Sequence, residues 1–268
     1  MIYGIGKKRK DCWWRAVCGK SARTVLWGAS RQLLTHIYIR RKRGNVGPCL
    51  LDWNMDYKYD LNKVKEYEKK CFIGEIYDCN DKDLMMYQEE CKLKLHEYNN
   101  TLPGEFEKRS KLLKEIFKEI GGNCYFEPPI RANFGGQHCH IGNNVYSNFN
   151  LTLVDDGDIF IGDNTMIAPN VTICTAAHPI LPELRMKGLQ YNKPVRIGKC
   201  VWIGAGAIIL PGVTICDNCV IGAGSIVTRD IEENSVAYGN PARAIRKISD
   251  RDKEYYYRNE KIEWNKLK

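Results

Sequence analysis

The sequence predicts a mainly β fold built from a six-residue repeat and preceded by a smaller helical segment. Between residues 197 and 232, an aliphatic residue returns at every sixth position, at Ile197, Ile203, Ile209, Ile215, Ile221 and Val227. Upstream, between residues 56 and 122, the apolar residues follow helical spacing instead. A period of six fits neither an α-helix nor a plain hairpin. It is typical of a parallel β-helix, in which each sextet forms one short strand and a turn.

The repeat also occurs earlier in the chain, at Ile141, Ile161, Ile167 and Ile173. Three sextets form one triangular coil, so the aliphatic side chains should point inward and build continuous apolar columns. The register breaks between Ile173 and Ile197, where prolines prevent the repeat from continuing. We therefore expect residues 174–194 to leave the coils as a loop, and loops on a rigid scaffold are common places for chemistry.

The helical segment comprises residues 55–122. One helix should begin near Asp81, because Asn80 or Asp81 can accept hydrogen bonds from the free N–H groups of a first turn. A later helix has an apolar face formed by Phe106, Leu112, Leu113, Ile116, Phe117 and Ile120. We expect Gly121 and Gly122 to end that helix. At the other end of the chain, residues 249–268 form a tail whose mixed charges indicate a helix.

Composition narrows the classes of protein that fit. The chain has 268 residues, 44% of them hydrophobic and 27% charged, which is ordinary for a globular protein. No run of about 18 apolar residues occurs, so a membrane span is not expected. The basic residues 7–10 have no apolar stretch behind them, so we expect no secretory signal and a cytoplasmic location. The 12 cysteines are scattered, and we interpret them as reduced thiols used as small core residues.

The net charge of +9 comes from one segment. Residues 1–50 contain twelve Lys and Arg against the single acid Asp11, so the rest of the chain is close to neutral. This basic extension, residues 1–54, has three interpretations: an arm for nucleic acid or an anionic surface, a divergent small domain, or a passenger sequence from an early start codon. We favour the passenger, because a helical pattern follows Met55 at once, and nucleic-acid binding is not our expectation.

Several stretches occur in the order typical of one enzyme family: GEIYDCND, FEPPIRANFG, HIGNNVYSNFNLTLVDDG, AAHPILPELR, VWIGAGAIILPGVTI and YGNPARAIRKI. On these stretches, residues 66–248 resemble the maltose and galactoside O-acetyltransferases, a branch of the hexapeptide-repeat acyltransferases. The resemblance implies a left-handed parallel β-helix over residues 123–248 and a homotrimer with active sites between subunits. It also implies acetyl-CoA as the donor and a sugar such as maltose, glucose or a galactoside as the acceptor.

The resemblance assigns roles to individual residues. His178 in AAHP matches the catalytic base. The positions expected to bind the acceptor are Asp78, Asn133, Tyr146, Asn148 and Asp156. The positions expected to bind CoA are Ala205, Ala223, Thr228, Arg229, Arg243 and Arg246. Three departures bear on the acceptor and on one CoA contact: Gln190 stands where the family often has Glu, Ala205 where it often has Ser, and Cys79 at the position of an acid.

The expected chemistry follows from the residue types. An imidazole with a pKa near 6.5 can take the proton of a sugar hydroxyl, typically contributing about 10²–10⁴-fold. We expect the hydroxyl to attack the thioester directly, without an acetyl-enzyme. A backbone N–H near Gly204–Ala205 would stabilise the oxyanion, and Arg243 and Arg246 would meet the CoA phosphates.

Other functions fit less well. Another glycan or an antibiotic is an alternative acceptor on the same fold, although the helical segment favours the maltose and galactoside branch. A non-catalytic trimeric scaffold would not need His178. Zinc at Cys216-x-x-Cys219, or through His138, His140 and His178 as in a β-helical carbonic anhydrase, is not expected. Closed zinc sites need four ligands, and both cysteines already belong to the repeat.

Overall fold

The computed structural model describes residues 59–267, so the basic extension lies outside the described residues. The strands are β1 Tyr77–Asp78, β2 Glu119–Ile120, β3 Tyr125–Phe126, β4 Arg131–Ala132, β5 Cys139–Ile141, β6 Tyr146–Ser147, β7 Thr152–Val154, β8 Ile159–Ile161, β9 Met166–Ile167, β10 Thr172–Cys174, β11 Ala176–Ala177, β12 Leu189–Asn192, β13 Val195–Ile197, β14 Trp202–Ile203, β15 Ile208–Ile209, β16 Thr214–Ile215, β17 Val220–Ile221, β18 Ile226–Val227, β19 Ser235–Gly239, β20 Ala242–Lys247, β21 Tyr255–Tyr257 and β22 Glu260–Lys261. The helices are α1 Leu61–Ile73, α2 Lys82–Asn99, α3 Phe106–Ile116, α4 Pro182–Met186, α5 Arg251–Glu254 and a 3₁₀ turn Trp264–Lys266.

Most strands form three parallel sheets that are the three faces of a β-helix. Their orders are β18-β15-β10-β7-β4, β16-β13-β8-β5-β2 and β20-β19-β17-β14-β9-β6-β3, with only β20 antiparallel to its neighbour. Each strand pairs with the strand one coil away, so that Ile197 lies between Ile161 and Ile215. The fold expected from the six-residue repeat is confirmed.

The repeat aliphatics fill the interior of the coils. Each face carries its own buried column, such as Ile167, Ile203 and Ile221. At about 25 cal/mol per Å² of apolar surface removed from water, these columns are the main stabilising contribution of the coils. The central cysteines Cys139 and Cys219 are buried among them, whereas Cys200 is exposed, and all nine cysteines of residues 59–267 are free thiols.

One corner of the coils is lined by residues in the left-handed conformation. Asn123, Asn144 and Asn164 have φ of 56°, 56° and 58°, and their side-chain amides bond from one coil to the next at 3.3 and 3.1 Å. Asn suits this conformation because its short polar side chain can hydrogen-bond locally. Cys200 takes the next position with φ 54°, and it interrupts the ladder before Asn218 resumes it.

The helical segment covers one end of the coils. Asp81 caps α2 by accepting hydrogen bonds from the N–H groups of Asp83 and Leu84, as expected for a helix that begins there. Tyr98 of α2 is fully buried, and its hydroxyl donates to the carbonyl of Phe126 in the first coil. The apolar faces of α2 and α3 thus join the core of the β-helix.

The expected end of the third helix at Gly121 is wrong. α3 ends at Ile116, and Glu119 and Ile120 form β2, paired with His140 and Ile141. A Cβ on Gly121 would lie 2.7 Å from the backbone of Gly142. Residue 121 is therefore a glycine because the next coil stacks directly against it. Tertiary pairing overrides helical spacing here. The Ile-Gly pair at 120–121 is therefore the first sextet signal of the chain.

The expected helix in the C-terminal tail is also wrong beyond one turn. Within the described part of the tail, only Arg251–Glu254 is α-helical, Trp264–Lys266 forms a 3₁₀ turn, and β21 and β22 form an antiparallel hairpin. Three successive tyrosines favour a strand, and Arg258 turns the chain with φ 48°. Among residues 59–267, no helix is both long and apolar enough to cross a membrane.

We expect Cys200→Asn to raise the free energy of unfolding by up to about 1 kcal/mol, because the left-handed conformation costs an ordinary side chain roughly 1–2 kcal/mol and costs Asn less. The new amide can also bridge Asn164 and Asn218. Denaturant unfolding of both proteins measures the change. Cys200→Ser is the control, since it removes the thiol without adding an amide. An equal gain from Ser and Asn would contradict the ladder as the cause.

Candidate active site

Strand β12 organises the polar site of the chain. After β10 the chain leaves the parallel sheets, forms β11 and α4, and returns through β12 to β13. β12 pairs antiparallel with β11 on one side and with β1 of the helical segment on the other. Residues from two distant parts of the sequence, the helical segment and the loop after β10, therefore meet along one short strand.

His178 lies just after β11 and is oriented by β12. Its Nδ1 lies 2.9 Å from the carbonyl oxygen of Leu189. Because a carbonyl only accepts, Nδ1 must carry the hydrogen in this contact, and the neutral ring then keeps its lone pair on Nε2. The side chain is exposed in the single chain. The arrangement leaves a proton-accepting atom pointing away from the backbone that holds the ring.

Asp156 is a buried carboxylate held by amide groups. Asp156 follows β7 in the sequence, and the residue is only 6% exposed. Asn133 donates to Oδ2 at 2.8 Å and Gln190 donates to Oδ1 at 2.9 Å, while Asn192 donates to the backbone carbonyl. Each carboxylate oxygen can accept a second hydrogen bond. Asp156 is therefore fixed in position with acceptor capacity left over.

Further hydrogen bonds hold the side chains of Gln190 and Asn192 in place. The Tyr77 hydroxyl lies within hydrogen-bond distance of the side-chain amides of both residues, at 2.5 and 3.1 Å. Burial raises the pKa of Tyr77, and it raises the pKa of the neighbouring thiol of Cys71 to about 12. Both groups are thus neutral near pH 7, and Tyr77 acts here as a hydroxyl.

Asp155 anchors the segment that carries Asn133. Its buried carboxylate accepts the N–H groups of Phe134 and Gly136, both at 2.8 Å. Burial raises the pKa of Asp155. His138 Nδ1 donates to the Asp155 backbone carbonyl at 2.6 Å, and its Nε2 faces Glu68 of α1 at 3.7 Å. Burial opposes the charged form of His138, but Glu68 and Asp155 together raise its pKa.

Asp78 lies at the edge of this cluster, in β1. Its Oδ1 accepts the N–H of Asn80 at 2.9 Å, and β1 places Asp78 opposite Leu189. Gly188 has φ +71°, and a Cβ there would come within 1.7 Å of the Asn80 side chain. The loop and the helical segment can approach this closely only because residue 188 is glycine.

Asn148 and Tyr146 lie on a different face of the coils. The Asn148 Oδ1 accepts the N–H of Phe149 at 2.8 Å, and the Tyr146 ring stacks on Tyr125. Within residues 59–267, no hydrogen bond or ring contact joins either residue to His178 or Asp156. One chain alone therefore brings together only part of the predicted acceptor site.

The residues predicted to bind CoA lie towards the C-terminal coils. Ala205 and Ala223 occupy the same corner of successive coils, where the carbonyl of Ala205 accepts the N–H of Gly224 at 2.8 Å. Thr228 and Arg229 are exposed just after β18. In β20, Arg243 donates to its neighbouring carbonyl at Ala242, and Arg246 makes a bidentate salt bridge with Asp252 at 2.7 and 2.8 Å.

The described part of the chain contains no group of three or more His, Cys, Asp and Glu side chains placed to hold a metal ion. Cys219 instead lies in the coil interior, and its thiol donates to the carbonyl of Glu232 at 3.1 Å. His140 contacts the carboxylates of Asp158 and Glu119 at 3.0 and 3.3 Å. These residues have structural partners of their own.

Comparison with known proteins identifies the family. A family model described as the maltose acetyltransferase hexapeptide capping motif matches residues 70–121, and the bacterial transferase hexapeptide (six repeats) matches residues 194–229. A galactoside O-acetyltransferase of Lactococcus lactis is 50% identical over 203 residues, which cover 76% of this chain and 98% of that protein. The chain belongs to the maltose and galactoside O-acetyltransferase family.

Solved structures agree with this assignment. A galactoside acetyltransferase in complex with coenzyme A is 47% identical, with a TM-score of 0.70 over 75% of this chain and 98% of that one. A maltose O-acetyltransferase from Clostridium difficile is also 47% identical, with a TM-score of 0.66 over 68% and 97%. The resemblance predicted from the motifs is confirmed, and so are the left-handed β-helix and the acyltransferase class of this family member.

The structure joins His178, Asp156, Asn133 and Asp78 through β12. Sequence reasoning missed Tyr77, Asn192 and Asp155, and it named Gln190 only as a departure. The sequence could have indicated Asp155 as a site residue, because it is the first acid of the VDDG stretch. Tyr77 lies in the GEIYDCND stretch, but nothing local to Tyr77 or Asn192 indicated their contact, since 115 residues separate the two side chains that meet.

We expect Gln190→Glu to destabilise the chain in a pH-dependent way, because it places a second carboxylate against Asp156. Each carboxylate raises the pKa of the other above its unfolded value. The folded state then binds protons that the unfolded chain releases, so stability falls as the pH rises through the raised pKa. The stability deficit relative to the parent should therefore be larger near pH 8 than near pH 5, by roughly 1–2 kcal/mol.

Gln190→Met is the matched control, because it removes the amide without adding charge. Its deficit should be the same at both pH values. Denaturant midpoints measured for the three proteins give the comparison. A Gln190→Glu deficit that does not change with pH would contradict close contact between residue 190 and Asp156.

Proposed function

We propose that this chain transfers the acetyl group of acetyl-CoA to a hydroxyl group of a sugar, with His178 as the general base. The observation that carries this proposal is the hydrogen bond from His178 Nδ1 to the Leu189 carbonyl, which reserves the Nε2 lone pair for a proton. Membership of the family gives the reaction class. The relatives named for galactosides and maltose support a sugar acceptor.

The proposed reaction is a direct transfer. The sugar oxygen attacks the thioester carbon while Nε2 of His178 takes the hydroxyl proton. The carbonyl electron pair moves to oxygen and returns as the C–S bond breaks. The imidazolium then gives its proton to the CoA thiolate, so the products are an acetyl ester and free CoA.

Ala205 is the proposed source of the oxyanion donor. The neighbouring N–H of Gly204 is already committed to the carbonyl of Ile221 at 2.7 Å. The N–H of Ala205 donates to no other group in residues 59–267. A free backbone N–H aimed at the reacting carbonyl would stabilise the developing charge. Such a donor does not depend on whether residue 205 is Ala or Ser.

Asp156 and Asn133, with Asp78 at the edge, are proposed to bind the acceptor. A sugar offers several hydroxyl donors, and the remaining lone pairs of the Asp156 carboxylate can accept them. The carboxylate is held by neutral amides, so its negative charge is not cancelled by a cation in the described contacts. Such a site favours a neutral, hydrogen-bond-donating acceptor over an anionic one.

The donor, acetyl-CoA, is proposed to bind at a positively charged surface, in contrast to the negatively charged acceptor site. Ala223 and Thr228 leave backbone and side-chain groups exposed near the last coils. Arg229 and Arg243 add positive charge there, and Arg246, which is paired with Asp252, lies on the same strand as Arg243. The phosphate groups of CoA are strong acceptors for arginine. The two substrates therefore meet different electrostatic surroundings.

A homotrimer with shared active sites is part of the proposal. Trp202 and Met166 are neighbours on the outside of one sheet and are 55% and 54% exposed, which fits a face covered by another copy. Tyr146 pairs with Met166 on that same sheet. Asn148 and Tyr146 would then reach the His178 of a neighbouring subunit.

We expect His178→Ala to lower acetyl transfer by at least about a hundredfold, the scale of a lost general base. Release of CoA from acetyl-CoA, measured with maltose, glucose and galactosides, provides the assay. His96→Ala is the matched control, since His96 is an exposed histidine on α2, and it should leave the rate unchanged. Transfer that survives His178→Ala would exclude His178 as the base.

A complementation experiment tests the shared site. His178→Ala and Asn148→Ala should each be inactive alone, because each removes one half of every site. Co-expressed in equal amounts, they should recover activity at about a quarter of the sites, where an intact His178 faces an intact Asn148. No recovery from mixed trimers would show that both residues serve one subunit's own site.

A further inference from the structure

The C-terminal tail forms a cavity beside β20 that the proposed mechanism does not use. Its volume is about 430 Å³. It is lined by three arginines (Arg246, Arg251 and Arg258), by Ser249 and Asp252, and by the tyrosine run 255–257. This tail cavity lies within the range of about 300–1,000 Å³ that small-molecule sites occupy.

The charges of the tail cavity favour an anion. Asp252 is its one acid, and both of its oxygens are engaged by Arg246. The Arg246 guanidinium and the N–H of Ser249 hold the pKa of Asp252 at about 2, so it is charged near pH 7. This pair is neutral overall, and Arg251 and Arg258 leave an excess of two positive charges in the lining.

Arg258 is the guanidinium that is free for a ligand. Arg251 donates to the carbonyl of Arg258 at 2.7 Å and so holds the hairpin turn. The Arg258 guanidinium lies 5.1 Å from the ring centre of Tyr257, and no acceptor within residues 59–267 takes a hydrogen bond from it. An arginine held over an aromatic ring keeps its planar fork of donors open for a phosphate.

The tyrosines add flat apolar surface next to these charges. Tyr256 and Tyr257 are 67% and 54% exposed, although tyrosine rings are usually better covered. Exposed aromatic rings beside arginine are the pairing that stacks a nucleobase and holds its phosphate. The lining thus suits a ligand that combines a base with a phosphate.

We propose that the tail cavity binds the 3′-phosphorylated adenosine of CoA, with Arg258 on the 3′-phosphate and the exposed tyrosines against the adenine. This inference rests on the proposed function, which makes CoA a substrate. Continuity supports it: Arg246, expected to meet the CoA phosphates, also lines the tail cavity. The tail therefore extends the donor site beyond the coils.

The test is a comparison of ligands and variants of the full chain by calorimetric titration. The ligands are CoA, dephospho-CoA, which lacks the 3′-phosphate, and adenosine 3′,5′-bisphosphate. The variants are Arg258→Gln and the control Lys253→Gln, which removes one positive charge from the same tail outside the cavity lining. Thermal unfolding confirms that each variant is folded.

Arg258→Gln should weaken CoA and the bisphosphate about tenfold and dephospho-CoA less than twofold, because only the 3′-phosphate contact is lost. Lys253→Gln should change all three ligands less than twofold. Equal weakening of CoA and dephospho-CoA by Arg258→Gln, or equal effects of both variants, would overturn the tail site while leaving CoA as the donor. A parent chain that binds no CoA would overturn the proposed function itself, and the tail site with it.

Discussion

Every coil of the β-helix must stack on the next one at the spacing of paired strands, about 4.8 Å, on all three faces. The corners must be as tight as the faces. A Cβ on Gly162 would lie 2.6 Å from the backbone of Gly198, and a Cβ on Gly204 would lie 2.5 Å from the N–H nitrogen of Ala223. This spacing explains the Ile-Gly repeat, since the aliphatic fills the interior and the glycine allows the next coil to approach.

The same constraint determines where a loop can leave the coils. The strands on either side of the excursion are fixed by their neighbours, with Ile173 paired to Leu153 and Ile209, and Val195 paired to Ile159. The loop therefore starts and returns at rigid points, and its position does not depend on its own packing. A rigid scaffold of this kind allows His178 to be placed by a segment that contributes little to the core.

The repeat, the coil interior and the excursion were all predictable from the sequence, because a period of six has one structural explanation. The ends of the repeat were not. Ile120-Gly121 follows a helical stretch, and its strand exists only because Ile141 lies beside it. In the tail, charge pattern indicated a helix, but the three tyrosines and the turn at Arg258 favour a hairpin. Isolated sextets and short hairpins carry too few residues for a period to be visible.

The candidate site was likewise predictable only in part. His178 and Asp156 belong to short motifs that the family resemblance makes visible, whereas the contacts that hold them join residues far apart in sequence. Tyr77 meets Gln190 across 113 positions. Such a pair leaves no local pattern, because nothing in the neighbourhood of either residue requires the other. Only the pairing of β1 with β12 brings them together.

That pairing couples the proposed base to the proposed acceptor site. Leu189 orients His178 through its carbonyl, and the next residue along β12, Gln190, donates to Asp156. One strand thus orients the His178 ring through a backbone carbonyl and holds the Asp156 carboxylate through the side chain of the next residue. Displacement of β12 would therefore change both the direction of His178 Nε2 and the position of the Asp156 carboxylate. The helical segment, which pairs with β12 through β1, would thus affect the proposed proton transfer as well as the proposed acceptor binding, although in the described contacts none of its side chains touches His178.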